Sequence, residues 1–264
     1  MFKTIHPLSV ARHGKLRLKP VSDYRFAAQE AVIGLVGAEI HKAIHAFPIA
    51  FLRSAHAGGT SCQMVGLLSV TPGQNLLVSP DGRWLGDYIP AALRAYPFVL
   101  ARSQEDADTR LPCLDEDCGL LSESEGQPLF SEDGQLSDFS RRIIDFLTAT
   151  ERNREATQKG VDVLEKAQLF TPWSLQVVIQ KQTKAIEGFH VIDETKLNQL
   201  DDETWLALRR AGVLPLVYGH LLSLNRTDLL GQLSGLQAQL AQQLTARPKL
   251  DDMLDFGDES ILQF

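Results

Sequence analysis

Residues 46–53 read Ala-Phe-Pro-Ile-Ala-Phe-Leu-Arg, and this stretch decides the fold that the sequence predicts. Proline at position 48 disfavours the helical conformation for the residue before it, so a helix on its N-terminal side must end there. The apolar run at 49–52 is too short for a helix and is typical of a buried strand. Upstream, apolar residues recur at mostly four-residue steps, which predicts a helix over residues 26–46.

Working outward, the first half of the chain alternates short apolar runs with turn residues, whereas the second half is mostly helical. We expect strands at 64–70 and 75–78 and a turn at Asp81-Gly82, where both residues tolerate positive φ. Helical periodicity starts at Ser137, a typical N-cap residue, and Asp201 is a second such residue. These features indicate an α+β fold, with a mixed or antiparallel sheet, helices and a helical C-terminal part.

The same pattern divides the chain into four parts. They are a strand-rich N-terminal part at 1–136 that contains helix 26–46; a part at 137–228 with helices and a β-hairpin at 173–192, packed on the first; a leucine-striped helix at 229–247; and a flexible acidic tail at 248–264.

The last helix and the tail are candidates for partner docking. No charged residue occurs from 229 to 246, so the leucine stripe could pack on the body or self-associate with another chain. The tail mixes acidic with large apolar residues, which is typical of a flexible end or of a peptide that orders on its target. The candidate docking residues are Leu229, Leu233, Leu236, Leu240, Leu254, Phe256 and Phe264.

Composition excludes several classes of protein. The 264 residues are 44% apolar and 22% charged, which fits a packed globule rather than a disordered chain. A formal net charge of −7 makes nucleic acid an unfavourable ligand. We expect no transmembrane segment, because no apolar run is long enough, and the three cysteines suit a reducing compartment. We therefore expect a cytoplasmic protein.

Charge is unevenly distributed. Residues 1–25 contain six basic side chains, whereas residues 111–138 contain eight acidic side chains and no lysine or arginine. Exposed charge is the default, so the simpler interpretation is two separate solvated surfaces. The other interpretation is that the basic N-terminal arm lies against the acidic loop.

No residue pattern indicates a reaction. His41 and His45 have the spacing of a zinc pair, but Lys42 stands where a zincin needs glutamate. Asp115-Glu116-Asp117 lacks the alternation of an EF-hand, and no histidine can be assigned to Cys62 as a base. Neither a phosphate-binding glycine pattern nor a serine elbow occurs. We predict no catalytic residue, cofactor or metal, and the sequence favours a non-enzymatic role without deciding it.

The strongest recognition signal is the segment 83–90, because tryptophan and tyrosine combine a flat apolar face with a polar tip. The commoner role of such side chains is packing, and recognition is the alternative. The candidate recognition residues are Arg83, Trp84, Asp87, Tyr88 and His190.

Several of these motifs, in this order, resemble the SapC-like bacterial family. The resemblance covers about residues 1–230 and rests on the stretches 18–28, 72–98, 115–117, 125–130, 188–194 and 211–224. The family is named for an association with surface-layer proteins. Its members tend to be encoded near TonB-dependent receptors, flavin-dependent halogenase-like proteins and cupin-like proteins. It has no established catalytic residues, so none is carried over.

The resemblance implies a non-catalytic accessory protein that binds a protein or peptide partner. Its role would be linked to surface-layer export, outer-membrane nutrient uptake or a neighbouring modification enzyme. The alternative is an enzyme or ligand-binding protein that acts on a sugar or a modified peptide, because the polar aromatic segment lies beside acidic residues in the sequence.

Overall fold

The strand that follows Pro48 lies in the middle of a five-stranded antiparallel sheet. The computed structural model describes residues 1–56, 59–102, 106, 109–179, 182–186 and 188–246. Its strands are β1 (Ile5–Pro7), β2 (Arg17–Leu18), β3 (Val32–Gly34), β4 (Ile49–His56), β5 (Gly59–Leu67), β6 (Phe98–Arg102), β7 (Arg110–Asp115), β8 (Leu121–Ser122), β9 (Gln127–Pro128), β10 (Phe170–Pro172), β11 (Leu175–Ile179), β12 (Gln182–Ile186) and β13 (Phe189–Ile192). Its helices are α1 (Val10–His13), α2 (Ile40–Ala46), α3 (Ala91–Arg94), α4 (Asp138–Lys166), α5 (Glu194–Asn198), α6 (Asp202–Arg210), α7 (Leu214–Ser223) and α8 (Thr227–Ala246).

The described strands form four antiparallel sheets. The main sheet has the order β10-β13-β4-β5-β3, and smaller sheets have the orders β1-β7-β6, β8-β2-β9 and β11-β12. Helices α4 and α7 contact strands of the main sheet, α2 packs on α7, and α8 lies beside β11. The fold is therefore α+β with a helical C-terminal part, as the sequence predicts.

Helix α4 connects two apolar cores. Its C-terminal half contributes Val161 and Leu164 to the large core around the main sheet. Its N-terminal half places Phe139 and Ile143 against a smaller core that contains Phe98 and other residues of the small sheets. A helix of this length extends over about 40 Å, enough to cover both. The predicted cap is confirmed, because the Ser137 hydroxyl accepts the Ser140 N–H at 3.1 Å.

A buried histidine on α7 completes the main sheet where β4 and β13 separate. The His220 Nδ1 lies 2.9 Å from the Ile49 carbonyl oxygen, and its Nε2 lies 3.1 Å from the Ile192 N–H nitrogen. A carbonyl can only accept and an amide N–H can only donate, so Nδ1 must carry the proton and Nε2 must accept. The Ser223 hydroxyl accepts the neighbouring Ile49 N–H at 2.9 Å. Burial lowers the pKa of His220 to about 4, so the ring is neutral at pH 7.

The helix predicted over 26–46 is wrong over most of its length, because only Ile40–Ala46 is α-helical. Val32–Gly34 is instead the edge strand β3, whose Ile33 pairs with Gly66 of β5. The apolar residues recur as described, but the backbone groups of residues 32–34 make their hydrogen bonds to β5 instead of within a helix. Glycines at 34 and 37 each cost a helix about 1 kcal/mol, which also favours the strand.

The hairpin predicted at 173–192 is divided in two. β10 and β13 pair within the main sheet, whereas β11 and β12 form a separate two-stranded sheet. Gly188, at φ +85°, directly precedes β13. A further prediction also fails: residues 75–78 form no strand, although Val78 makes an isolated bridge to Trp84 across the predicted turn.

The leucine helix packs on the body over its first turns. Leu233 is buried in the large core and Leu229 is packed against it, whereas Leu236 is 40% exposed and Leu240 is partly exposed. The Gln237 amide donates to the carbonyls of Leu76 and Val78 at 3.0 and 2.6 Å. The prediction that Leu233 is available for docking is therefore wrong. The predicted tail, with Leu254, Phe256 and Phe264, lies outside the described residues.

None of the described helices combines the length with the apolar character that crossing a bilayer demands.

Close packing at Gly66 yields the first prediction. A Cβ on Gly66 would lie 2.5 Å from the buried Phe47 ring, whereas a Cβ on Gly34, in the adjacent strand, would meet no atom within 4 Å. We expect Gly66→Ala to lower the free energy of unfolding by about 1–3 kcal/mol, because the ring must move in a filled core. Gly34→Ala is the matched control and should change it by less than about 0.5 kcal/mol. Urea unfolding followed by circular dichroism measures both, and equal effects would contradict the packing argument.

The buried His220 yields the second prediction, a loss of stability in mild acid. The unfolded ring titrates near its ordinary value of 6.5 and the folded ring near 4. Between these pH values the unfolded state binds the extra proton, so stability falls as the pH decreases from about 6.5 to 4. The expected contribution is about 3 kcal/mol.

Two histidine variants test this assignment by urea unfolding at pH 7 and pH 4.5. His220→Leu should lower stability at pH 7 by about 2–5 kcal/mol, since it leaves buried backbone groups without partners, and should reduce the pH dependence. His45→Leu, at an exposed position of α2, should preserve that dependence. An unchanged pH dependence in His220→Leu would show that another group causes it.

Candidate functional site

The recognition segment at 83–88 is held by a buried carboxylate. Glu39 is 4% exposed and accepts three hydrogen bonds, from the Tyr88 hydroxyl at 2.6 Å, the Ala91 N–H at 2.6 Å and the Val36 N–H at 3.1 Å. Burial, together with Glu39, raises the pKa of Tyr88. The Trp84 indole donates to the Tyr88 carbonyl at 3.0 Å, and both side chains pack against the large core. Trp84 and Tyr88 therefore have the packing role that is the commoner one for such side chains.

The other three predicted recognition residues do not join these aromatic side chains in one pocket. Arg83 and Asp87 are exposed, and Arg83 pairs with Asp81 at 2.8 Å. His190 lies on β13 opposite Phe51. Its pKa is lowered by burial and by the Arg53 charge, and Glu165 opposes this shift. Within the described part of the chain, no hydrogen bond or ring contact connects His190 to Trp84 or Tyr88.

The basic N-terminal arm lies against the acidic loop, so the second interpretation of the charge distribution is the correct one. Buried Asp115 accepts the backbone N–H groups of Lys3 and Thr4 at 3.1 and 2.9 Å. Arg12 donates two hydrogen bonds to Glu116, at 2.8 and 2.7 Å, and these bonds lower the pKa of Glu116 to about 2. The acidic loop thus serves as an anchor for the N-terminal arm.

The structure does not support a nucleophilic role for Cys62 or a metal site among the described cysteine and acidic side chains. Burial and the Glu165 charge raise the pKa of Cys62 to about 11, so its thiol is protonated rather than in the nucleophilic form. Among the described residues, no group of three or more His, Cys, Asp or Glu side chains is placed to hold a metal ion. His41 and His45 are both exposed on α2.

A groove beside the N-terminal half of α4 combines an apolar floor with cationic side chains. We name it the basic groove: a cleft of about 490 Å³ and an adjoining depression of about 360 Å³ that share Arg94, Phe139 and Ile143. The other apolar side chains that line it are Leu18, Pro20, Val21, Leu93, Ala95 and Phe146. The volume of the groove is sufficient for one or two large side chains of a ligand.

The charged side chains that line the basic groove are all cationic. They are Lys19, Arg94 and Arg142, and the described lining includes no acidic residue. The Arg94 guanidinium lies over the Phe146 ring at 4.9 Å, a cation–π contact that fixes its position. Lys19 has only a loose, exposed pairing with Glu125 at 3.9 Å. The groove can thus bind carboxylates at its rim and apolar side chains on its floor.

The groove is not predicted from the sequence, although the sequence contains one signal of it. Phe139, Arg142, Ile143 and Phe146 have the spacing of one helix face, and an arginine within an aromatic stripe is unusual for a face that is wholly buried. The remaining walls come from residues 18–24, 93–96 and 126–127. No sequence pattern indicates that these distant segments meet α4.

A second cavity, of about 660 Å³, lies beside the N-terminus. Phe26 and Tyr96 form a stacked pair on its wall, with ring centroids 3.8 Å apart. Its polar lining has both signs of charge, because it includes Lys3 and Arg25 as well as Asp23 and Asp117.

Comparison with known proteins identifies a family but no characterised relative. The SapC family model matches residues 8–230, which is most of the chain and includes the basic groove. No curated protein and no solved structure matches the chain.

The match extends from the N-terminal arm, across both cores and α4, into the first turn of α8. The chain therefore belongs to the SapC family.

Proposed function

We propose that this protein is a non-catalytic accessory protein that binds a protein or peptide partner through the basic groove. The supporting observation is the groove's lining, in which three cations and no acidic residue surround an apolar floor. The whole chain carries a net charge of −7, so this concentration of positive charge is local and opposite to the average. The partner segment is expected to combine acidic residues with large apolar ones.

The energetics fit a reversible complex. Burying one large apolar side chain on the floor contributes about 1.5–3 kcal/mol, and each exposed ion pair at the rim contributes about 0.2–1 kcal/mol. Loss of translational and side-chain freedom opposes both. Two or three such anchors produce a transient complex whose affinity falls with salt, because the rim charges are exposed.

The biological setting proposed here follows from family membership. We propose a bacterial, cytoplasmic protein whose partner is connected with surface-layer export, outer-membrane nutrient uptake or a neighbouring modification enzyme of the flavin-dependent halogenase-like kind. Self-association through the exposed part of α8, around Leu236, is a further element of the proposal.

The third prediction tests the groove with two charge reversals on the same helix. Arg142 lines the groove, whereas Arg152 is also exposed on α4 but is not among the groove's lining residues. We expect Arg142→Glu to reduce recovery of the native partner by about tenfold, equivalent to about 1.4 kcal/mol, because repulsion replaces attraction at the rim. Quantitative mass spectrometry of proteins that co-purify with each tagged full-length variant measures this.

Arg152→Glu controls for net charge and for the stability of α4, and it should retain the partner. A partner recovered equally by both variants, or no protein enriched above the tag-only control, would refute the groove as the binding site. Thermal unfolding of both variants verifies that they are folded.

A second candidate function is binding of a sugar or a modified peptide in the cavity beside the N-terminus. The observation that favours it is the combination of a stacked Phe26–Tyr96 wall with polar side chains such as Gln29 and Arg25. Aromatic faces beside such hydrogen-bonding groups suit polyhydroxylated ligands.

The fourth prediction addresses this cavity by calorimetric titration with a panel of neutral mono- and disaccharides. If the cavity is a sugar site, Gln29→Ala should weaken saturable binding by up to about tenfold, the effect of losing one hydrogen bond. Gln232→Ala, at an exposed position of α8, should leave it unchanged. Absence of saturable heat with every sugar would eliminate this candidate.

A further inference from the structure

We propose that the acidic segment at residues 248–264 occupies the basic groove of its own chain and competes there with the partner. This inference rests on the proposed function, because it takes the same groove as the binding surface. The occupant of the groove would then be part of the same chain, and it would regulate access of the partner to the groove.

The composition of the segment matches the lining of the groove. Residues 248–264 contain five acidic residues and one basic residue, Lys249, near the start of the segment. Between and beside these acids are large apolar residues: Leu250, Met253, Leu254, Phe256, Ile261, Leu262 and Phe264. The groove offers the complementary set, with Lys19, Arg94 and Arg142 around an apolar floor.

Two other cavities do not offer this complementarity. The cavity beside the N-terminus includes Asp23 and Asp117 in its lining. A smaller cavity of about 190 Å³, between β5 and α4, includes the buried Glu39. An acidic segment would meet a carboxylate in both, and a buried or half-buried pair of like charges is unfavourable. Charge therefore directs the segment to the basic groove.

The segment is long enough to reach the groove. A chain of contacts connects α8 with the groove. The Gln237 amide of α8 donates to the Val78 carbonyl, and Val78 forms a β-bridge with Trp84. The centroid of the Trp84 ring lies 5.7 Å from that of Tyr24, which lines the groove. From Gln237 to the end of α8 the helix extends over about 14 Å. The 18 residues after Ala246 can span up to about 60 Å when extended. The segment is therefore long enough to reach the groove.

Tethering makes weak docking effective. A segment on the same chain acts at an effective concentration on the order of millimolar, so even an intrinsic dissociation constant near that value leaves the groove about half occupied. A partner must then displace the segment, and weakly bound acidic peptides are excluded.

The fifth prediction uses photo-crosslinking in the full-length protein. A p-benzoylphenylalanine is placed at position 256, which preserves an aromatic side chain, and at position 239 of α8 as a control for general proximity. Peptide mapping should locate crosslinks from position 256 in the residues that form the groove, 18–24, 93–96, 126–127 or 139–146. The yield should fall about tenfold in Arg142→Glu, and also when salt is raised from about 0.1 M to 1 M, where screening shortens from about 10 Å to 3 Å. Arg152→Glu should retain the yield.

The outcomes are distinguishable from those of the partner experiment. Mixing isotopically heavy and light protein reports whether a crosslink lies within one chain or between two, and crosslinks only between copies would overturn the proposal. Crosslinks elsewhere, or a yield that Arg142→Glu does not change, would overturn it as well. If crosslinking fails while partner recovery still depends on Arg142, only the self-docking inference is wrong. If both fail, the groove is not a binding surface.

Discussion

The imidazole of His220 bridges two strands that would otherwise leave backbone groups unpaired inside the core. Its ring donates to the Ile49 carbonyl and accepts from the Ile192 N–H, so a side chain of α7 replaces a missing piece of the ladder between β4 and β13. An unpaired buried backbone group costs about as much as a lost hydrogen bond, so α7 must pack here for the sheet to be complete. The positions of α2 and α4, which pack against α7 or beside it, follow from this constraint.

Helix α4 connects the large core with the basic groove. Its C-terminal half is fixed by Val161 and Leu164, and its first turn is capped by Ser137. The groove residues Phe139, Arg142, Ile143 and Phe146 therefore project from a rigid helix rather than from a loop. A surface of this kind changes little when it binds, which keeps the entropic cost of association low.

Local signals in the sequence predicted local structure well. The N-caps Ser137 and Asp201 and the strand after Pro48 depend on neighbouring residues, and they are found as expected. Contacts between distant segments decided the features that were predicted incorrectly or missed. Val32–Gly34 is a strand because it pairs with β5, and the groove brings together four segments that are separated in the sequence. Nothing in the sequence distinguishes the buried His220 from the exposed His45, because Ile49, the hydrogen-bond partner of His220, is 171 residues away.

The placement of charge has a consequence for how molecules meet this protein. The whole chain has a net charge of −7, whereas the three charged side chains that line the basic groove, Lys19, Arg94 and Arg142, are all cationic. The net charge repels an approaching anion, and the cations of the basic groove attract it within about 8 Å at physiological ionic strength. Selectivity then arises before contact, since the same field that admits an acidic chain in one orientation rejects it in the others.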